Sequence, residues 1–155
     1  MFLYESNLDE STYNDIYGIL SPPSPTLACS SKESGEMFVG NAVSSSVSVI
    51  DLNTNKVIEN ISVGDSPHDI KISDDQQLVY TTDTDSGTIS IINASTMSLI
   101  DQIKTNVSAL HGIAIANDNT LYVGDVYGGK ILVIKEGQIV DQFRVGSGPE
   151  YIEIN

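Results

Sequence analysis

The sequence predicts an all-β protein built from repeated four-stranded units, and three observations support this prediction. Short motifs recur at a fixed interval, and apolar and polar residues alternate within each motif. The segments between motifs are rich in Gly, Asn, Asp and Ser, which favour turns. No segment keeps the apolar spacing of a helix over three turns, so the predicted fold class consists of strands and turns.

The repeated motifs are 42 residues apart. The tetrapeptides FVGN, YTTD and YVGD end at Asn41, Asp83 and Asp125, which are spaced by 42 residues each time. Three further motifs follow each tetrapeptide in the same order: VSVID, ISIIN and ILVIK; then KVIENI, SLIDQI and QIVDQF; then PHDIKI, LHGIAI and PEYIEI. QIVDQF comes two residues early because the turn before it is shorter, and PTLACS is a degenerate earlier copy of the last motif.

A four-stranded unit that repeats every ~40–45 residues is typical of a β-propeller blade. The sequence therefore predicts a single β-propeller domain over residues 1–155, with about three complete blades and partial ones. The blade repeats are predicted at about 24–65, 66–108 and 109–147, with the start of the next at 148–155, and residues 1–23 match weakly. The innermost strands are predicted at 27–31, 69–73, 112–116 and 150–154.

The repeat resembles that of the YVTN-type β-propellers, also called YncE-like or surface-layer propellers. The name-giving tetrapeptide is matched by Phe38-Val39-Gly40-Asn41, Tyr80-Thr81-Thr82-Asp83 and Tyr122-Val123-Gly124-Asp125. Val49-Ile50-Asp51, Asn55-Lys56-Val57-Ile58, Val63-Gly64 and Pro67-His68 extend the resemblance, which covers roughly residues 24–155. Because such propellers commonly have seven blades, the resemblance implies that this chain supplies about half of a ring. It implies no activity, because the family shares no catalytic set.

Three arrangements of the ring are open. The chain is part of a longer protein, or it forms a homodimer with a ring of about eight blades. Alternatively, it closes alone as a small four-bladed ring in which residues 150–154 join residues 1–20. Each arrangement would remove the exposed strand edges that a half ring leaves.

The charge of the chain argues against two kinds of partner. It has 7 Lys and Arg against 21 Asp and Glu, a net charge of −14 at pH 7. Nucleic acids and anionic membrane surfaces are bound through clusters of Lys and Arg, so neither is an expected partner. No apolar run is long enough to span a bilayer, and membrane insertion is not expected. The expected partner is a protein or a small-molecule ligand on one face of the propeller.

Three polar residues occupy the same position in successive repeats, just ahead of the inner strands. They are His68, His111 and Glu150, and they are the first candidates for a ligand-binding site on the rim of the channel. Three such groups could hold a metal ion or a substrate. The alternative is that each histidine only forms a hydrogen bond between blades. No cofactor is indicated, although a metal ion is possible.

Asp83 and Asp125 are further candidates for ligand binding. The stretch from Asp83 to Gly87 looks like the start of a calcium-binding loop, but the acid required at the twelfth position is replaced by Ala94. An irregular cation site in these loops is an alternative. The other is that Asp83, like Asn41 and Asp125 in their own repeats, caps a turn.

The sequence favours a non-enzymatic binding or scaffold protein. There is no nucleophile motif, phosphate-binding loop or dinucleotide fingerprint. The alternative is a propeller enzyme, such as a lyase, lactonase or metal-dependent oxidoreductase, with its site on the channel rim. Neither a basic nor an apolar signal region is visible in MFLYESNLDE. The resemblance and three glycosylation sequons at Asn60, Asn93 and Asn106 nevertheless favour a cell-surface or extracytoplasmic location.

Overall fold

The computed structural model describes residues 25–32 and 34–154, and in them the chain forms three four-stranded antiparallel sheets. We call these sheets blades 1, 2 and 3. Blade 1 contains β1 (Pro25–Ser30), β2 (Glu36–Asn41), β3 (Ser46–Asp51) and β4 (Lys56–Ser62). Blade 2 contains β5 (Pro67–Ile72), β6 (Leu78–Asp83), β7 (Thr88–Asn93) and β8 (Ser98–Lys104). Blade 3 contains β9 (Leu110–Ile115), β10 (Leu121–Asp125), β11 (Lys130–Lys135) and β12 (Gln138–Arg144).

The three blades fan out from their first strands. The inner strands β1, β5 and β9 pack beside one another, whereas the outer strands β4 and β8 make far fewer contacts. Within each blade, consecutive strands pair in sequence order, from the inner strand to the outer one. This arrangement confirms the predicted all-β propeller with four-stranded blades. In the described part of the chain, no helix is long and apolar enough to cross a membrane.

The core lies between the blades, because each sheet is apolar on both faces and buries them against its neighbours. One cluster joins blades 1 and 2 through residues such as Phe38, Ile61 and Ile92. A second cluster joins blades 2 and 3 through residues such as Ile103, Leu121 and Ile134. We call these two contacts the first and the second junction.

The outer strand of blade 3 is exposed because no further blade covers it among the described residues. Ile61 and Ile103 occupy equivalent positions on β4 and β8, and each is only 6% exposed. Phe143, the equivalent residue on β12, is 47% exposed. The repeated sequence position is therefore one that the next blade covers.

The turns repeat their backbone geometry from blade to blade. Ser45, Gly87 and Gly129 all have positive φ angles of 49–64° in the turn between the second and third strands. Ser66, Ala109 and Gly148 share φ angles of 59–69° just ahead of the inner strands. Positive φ is strained for any residue with a side chain, so turn geometry, rather than residue type, is what repeats.

The inner strands differ from the prediction in two ways. β5 and β9 each begin two residues earlier than the predicted 69–73 and 112–116. A β-bulge interrupts the pairing at His68 and at His111, and the strands pair again at Pro67 and Leu110. The predicted strand at 150–154 forms no strand, because no neighbouring strand pairs with it. The weakly matching residues 1–23 lie outside the described residues.

Candidate functional site

Two β-bulges bring the predicted histidines to one edge of the inner strands. In β5, Pro67 pairs with Asp83 and Asp69 pairs with Thr82, so His68 is the extra residue of the bulge. In β9, His111 lies in the same irregular step between Leu110 and Ile113. A bulge redirects the side chain of its extra residue, and here it turns both rings toward each other.

His68 and His111 stack directly across the second junction. Their ring centroids are 3.9 Å apart and the ring planes differ by 22°. Both Nδ1 atoms are buried and have no hydrogen-bond partner within the described residues. The contact between the blades is thus an aromatic stack, rather than the hydrogen bond through Nδ1 that a merely structural histidine would form.

The environment keeps the His111 ring neutral. Burial lowers the pKa of His111 below 6.5, the neighbouring His68 lowers it further, and Glu150 partly opposes them. At neutral pH this ring therefore has one N–H donor and one lone-pair acceptor available.

Glu150 lies close to this pair through an unusual backbone contact. A Cβ atom at Gly112, next to His111, would lie only 2.7 Å from the carbonyl oxygen of Glu150, so the glycine lets the two segments approach. The structure thus brings together all three predicted rim residues. We call His68, His111 and Glu150 the inner rim.

The geometry of the inner rim does not supply a metal site. Within the described ranges there is no group of three His, Cys, Asp or Glu residues that could hold a metal ion. Imidazole lone pairs lie in the ring plane, so the lone pairs of the two stacked rings lie in separate, nearly parallel planes. Hydrogen bonding to a polar ligand is the chemistry that these two rings can perform.

Asp83 is buried inside blade 2, where its carboxylate accepts four hydrogen bonds. The donors are Ser90 Oγ at 2.6 Å, Thr81 Oγ1 at 2.7 Å, Thr88 Oγ1 at 2.9 Å and the backbone N–H of Gly64 at 3.2 Å. Burial raises the pKa of Asp83, while these hydrogen bonds oppose the change. Gly64 lies in the segment between β4 and β5, so its hydrogen bond to Asp83 holds this connecting segment against the sheet of blade 2.

The equivalent residues of blades 1 and 3 form smaller networks. Asn41 Nδ2 donates to Ser48 Oγ at 2.8 Å. Asp125 accepts from the backbone N–H of Gly128 at 2.7 Å and forms an ion pair with Lys130 at 3.6 Å. The predicted turn cap is therefore found at Asp125. Asp83 and Asp125 are both buried, so neither carboxylate lies free on the surface where a ligand would meet it.

The sequence analysis missed Asp69, the buried acid of β5. Its Oδ2 atom accepts a hydrogen bond of 3.0 Å from the backbone N–H of Ile113, across the second junction. Its Oδ1 atom accepts one of 2.8 Å from the N–H of Ile70. Burial raises the pKa of Asp69, and the charge of Lys71 is the largest opposing effect. The sequence signal that could have identified Asp69 is its charge, because the equivalent residues are Leu27 in blade 1 and Gly112 in blade 3.

Comparison with known proteins adds support for the fold. No family model matches the chain, and no curated protein matches it either. Among solved structures, it is similar to a chain of the Kuenenia stuttgartiensis hydrazine synthase, with 26% identity, 83% of this chain covered and a TM-score of 0.74. It is also similar to U3-55K, with 13% identity, 84% covered and a TM-score of 0.71. A functionally unknown protein from Desulfotomaculum acetoxidans DSM 771 gives 16% identity, 81% coverage and a TM-score of 0.70.

The chain spans only 39%, 42% and 44% of the lengths of these three structures. The similarity therefore covers most of this chain but less than half of each larger one. At the two lower identities it concerns the fold alone. These comparisons and the three sheets assign the chain a propeller-like fold.

Proposed function

We propose that this chain is part of a YVTN-type β-propeller that acts as a non-enzymatic binding or scaffold protein. Its ligand, a protein or a small molecule, sits on the face that carries the inner rim. The observation that carries the proposal is the stack of His68 and His111, whose buried Nδ1 atoms have no partner in the described part of the chain. Buried polar atoms are normally hydrogen-bonded, and the proposal gives these two atoms a partner in a ligand or a bridging water.

The working unit in this proposal is a larger ring, formed either by a longer chain or by a homodimer. The exposed Phe143 supports it, because its two equivalents are covered by the next blade. The structures with similar folds also extend well beyond the matched region. We place the protein on the cell surface or outside the cytoplasm, on the basis of the YVTN-type motifs and the three sequons.

A ligand screen with matched variants tests the role of the inner rim. Ligand-observed NMR with a library of small neutral and cationic molecules is run on the wild type and on the double variant His68→Ala/His111→Ala. The control is Asp65→Ala/Asp85→Ala, which changes two exposed polar residues of the adjacent turns. The expected result is a set of molecules that bind the wild type and the control but not the histidine variant. Molecules that bind all three proteins equally would contradict the proposal.

A propeller enzyme with its site on the same rim is the second candidate. It is favoured by the similarity, at 26% identity, to a chain from the structure of a hydrazine synthase. Metal analysis of the purified protein separates the two functions. Stoichiometric metal that is lost in His68→Ala/His111→Ala would support the enzyme and overturn the scaffold proposal.

A further inference from the structure

A cavity lies between blades 2 and 3, at the end of the blades opposite to the inner rim. It has a volume of about 640 Å³, which is within the usual range for small-molecule sites. We call it the hairpin cleft, because the turn between β11 and β12 forms part of its edge. Its floor consists of six apolar or aromatic residues: Leu78, Tyr80, Ile91, Ile103, Leu121 and Ile134.

The hairpin cleft exists because one turn is short. In blades 1 and 2, four residues connect the third and fourth strands, whereas blade 3 has only Glu136 and Gly137. Ala94 and Met97 in the turn of blade 2 pack against the core of the first junction. Blade 3 has no apolar residue in its turn, and Glu136 is exposed. The volume that a longer turn would fill is left open at the second junction.

The floor of the cleft carries one polar group, the hydroxyl of Tyr80, which remains accessible to solvent. Tyr80 is only 5% exposed and lines the cleft, yet its hydroxyl forms no hydrogen bond with any described residue. Burial raises the pKa of Tyr80, and the negative charge of Asp75 raises it further, so the hydroxyl stays protonated. The equivalent residue at the first junction is Phe38, which has no such group.

The rim of the cleft is acidic. Asp101, Asp118 and Glu136 are exposed at its edge, and Lys135 is the one basic residue among the residues that line it. The ammonium of Lys135 lies 3.0 Å from Asp118 and neutralises that carboxylate. Hydrogen bonds from Thr120 and Lys135 lower the pKa of Asp118 to about 2, so the Asp118 carboxyl is ionised at neutral pH. Within the described residues, no cation forms an ion pair with Asp101 or Glu136.

We propose that the hairpin cleft binds a small organic cation, an amine with an aromatic or branched apolar body. The apolar body packs on Leu78, Ile91 and Ile134, and the ammonium group remains at the rim beside Asp101 and Glu136. A polar atom at the far end of the ligand meets the Tyr80 hydroxyl. Each part of the ligand is thus matched by a residue that lines the cleft. This site is separate from the inner rim, and the proposal does not depend on the function proposed there.

Four related probes test the charge and the shape of the ligand. 2-Phenylethylammonium, 2-phenylethanol and phenylacetate have the same ring but a positive, a neutral and a negative head, and tyramine adds a phenol hydroxyl to the cation. Their affinities are measured at low ionic strength by NMR titration of the Gly137 and Asn119 amides. The cation is expected to bind about 2- to 10-fold more tightly than the alcohol, and the anion most weakly. Tyramine is expected to gain a further factor of about 2 to 10, which Tyr80→Phe removes.

Two variants test the site itself. Replacing Glu136-Gly137 with Ala-Ser-Thr-Met, the turn sequence of blade 2, fills the cleft and is expected to abolish binding of all four probes. Asp101→Asn is expected to weaken the binding of the two cationic probes about 2- to 5-fold, which is the usual contribution of an exposed charge pair. Its control is Glu59→Gln, the equivalent acid of blade 1, whose carboxylate accepts the same backbone hydrogen bond. Circular dichroism confirms that the turn exchange leaves the fold intact.

Three outcomes would overturn the proposal. The first is equal affinity for the positive, neutral and negative probes. The second is binding that survives in a folded turn-exchange variant. The third is an absence of binding by every probe. Loss of binding at the inner rim alone would leave this proposal standing, because the two sites share no residue.

Discussion

The first and second junctions have the same backbone architecture but different chemistry. At the first junction, Thr26 Oγ1 donates a hydrogen bond of 2.8 Å to the carbonyl of Pro67. Ser31 Oγ and the backbone N–H of Lys32 donate to Gln76 Oε1, and an apolar cluster that includes Ala94 and Met97 fills the contact. The second junction contains the Asp69 bridge, the histidine stack and the hairpin cleft. Both candidate sites therefore lie between blades 2 and 3.

The difference arises from substitutions at equivalent positions. Leu27 of blade 1 corresponds to Asp69 of blade 2, Thr26 to His68, and Phe38 to Tyr80. Two of these changes place a polar group where blade 1 has an apolar side chain, and the third replaces a hydroxyl with an imidazole ring. A repeat protein can thus keep one junction for stability and place polar groups in another, because each blade contacts only its neighbours.

The largest predicted effect compares the same truncation at the two junctions. Ile92 and Ile134 occupy equivalent positions and are 0% and 1% exposed. Ile92→Ala is expected to lower the free energy of unfolding by about 3–4 kcal/mol, because it leaves a closed cavity. Ile134→Ala is expected to cost only about 2 kcal/mol, because this side chain already borders the hairpin cleft. Urea unfolding measures both, and equal costs would show that the two junctions are packed alike.

The next effect is the loss of the Asp69 bridge. Asp69→Asn is expected to lower the free energy of unfolding by about 1–2 kcal/mol at pH 7, since the amide cannot replace the carboxylate in both hydrogen bonds. Because its pKa is raised in the folded chain, Asp69 holds its proton to a higher pH than it does in the unfolded chain. The advantage of the wild type over the variant should therefore shrink as pH rises from about 4 through the folded pKa.

Asp118→Asn is the control for this pH dependence. The pKa of Asp118 is lowered to about 2, so its contribution is present above the ordinary value of 3.8 and is lost as pH falls. Urea unfolding at a series of pH values should give slopes of opposite sign for the two variants. Slopes of the same sign for both variants would mean that burial does not raise the pKa of Asp69.

The smallest predicted effect concerns His111. Its pKa is lowered in the folded chain, so the unfolded chain takes up the proton first as pH falls below about 6.5. The wild type should lose stability relative to His111→Phe over that range, by less than the Asp69 change. NMR titration of the ring protons measures the midpoint directly. A midpoint at or above 6.5 would contradict the buried, neutral ring described for the inner rim.

Much of the fold could be predicted from the sequence because motifs that recur in the same order, at or near a 42-residue spacing, indicate the order of the strands. The bulges at His68 and His111 could not, since pairing register depends on the neighbouring strand. The strand predicted at 150–154 was wrong for a related reason, because an alternating pattern does not form a strand without a partner. The inner rim residues were found from their shared position in the repeat.

The other features of the site depend on how deeply each side chain is buried, which a repeat pattern does not reveal. Asp83 and Asp125 looked like surface loop residues, yet both lie inside their blades. The shortened turn before QIVDQF was visible in the sequence, but the cleft that it leaves was not. In the structure, Ala94 and Met97 of the longer blade 2 turn pack at the first junction, and blade 3 has no residues equivalent to them.

Equivalent turns of the blades share positive φ angles but carry different residues, so the blades together show which residues occupy each conformation. Ser45 adopts a conformation that its copies assign to Gly87 and Gly129, and Ala109 adopts one that blade 3 assigns to Gly148. A glycine tolerates these conformations without the steric cost that a side chain incurs. Turn residues exchanged between blades therefore form a small design library, in which each blade serves as a template for stabilising the others.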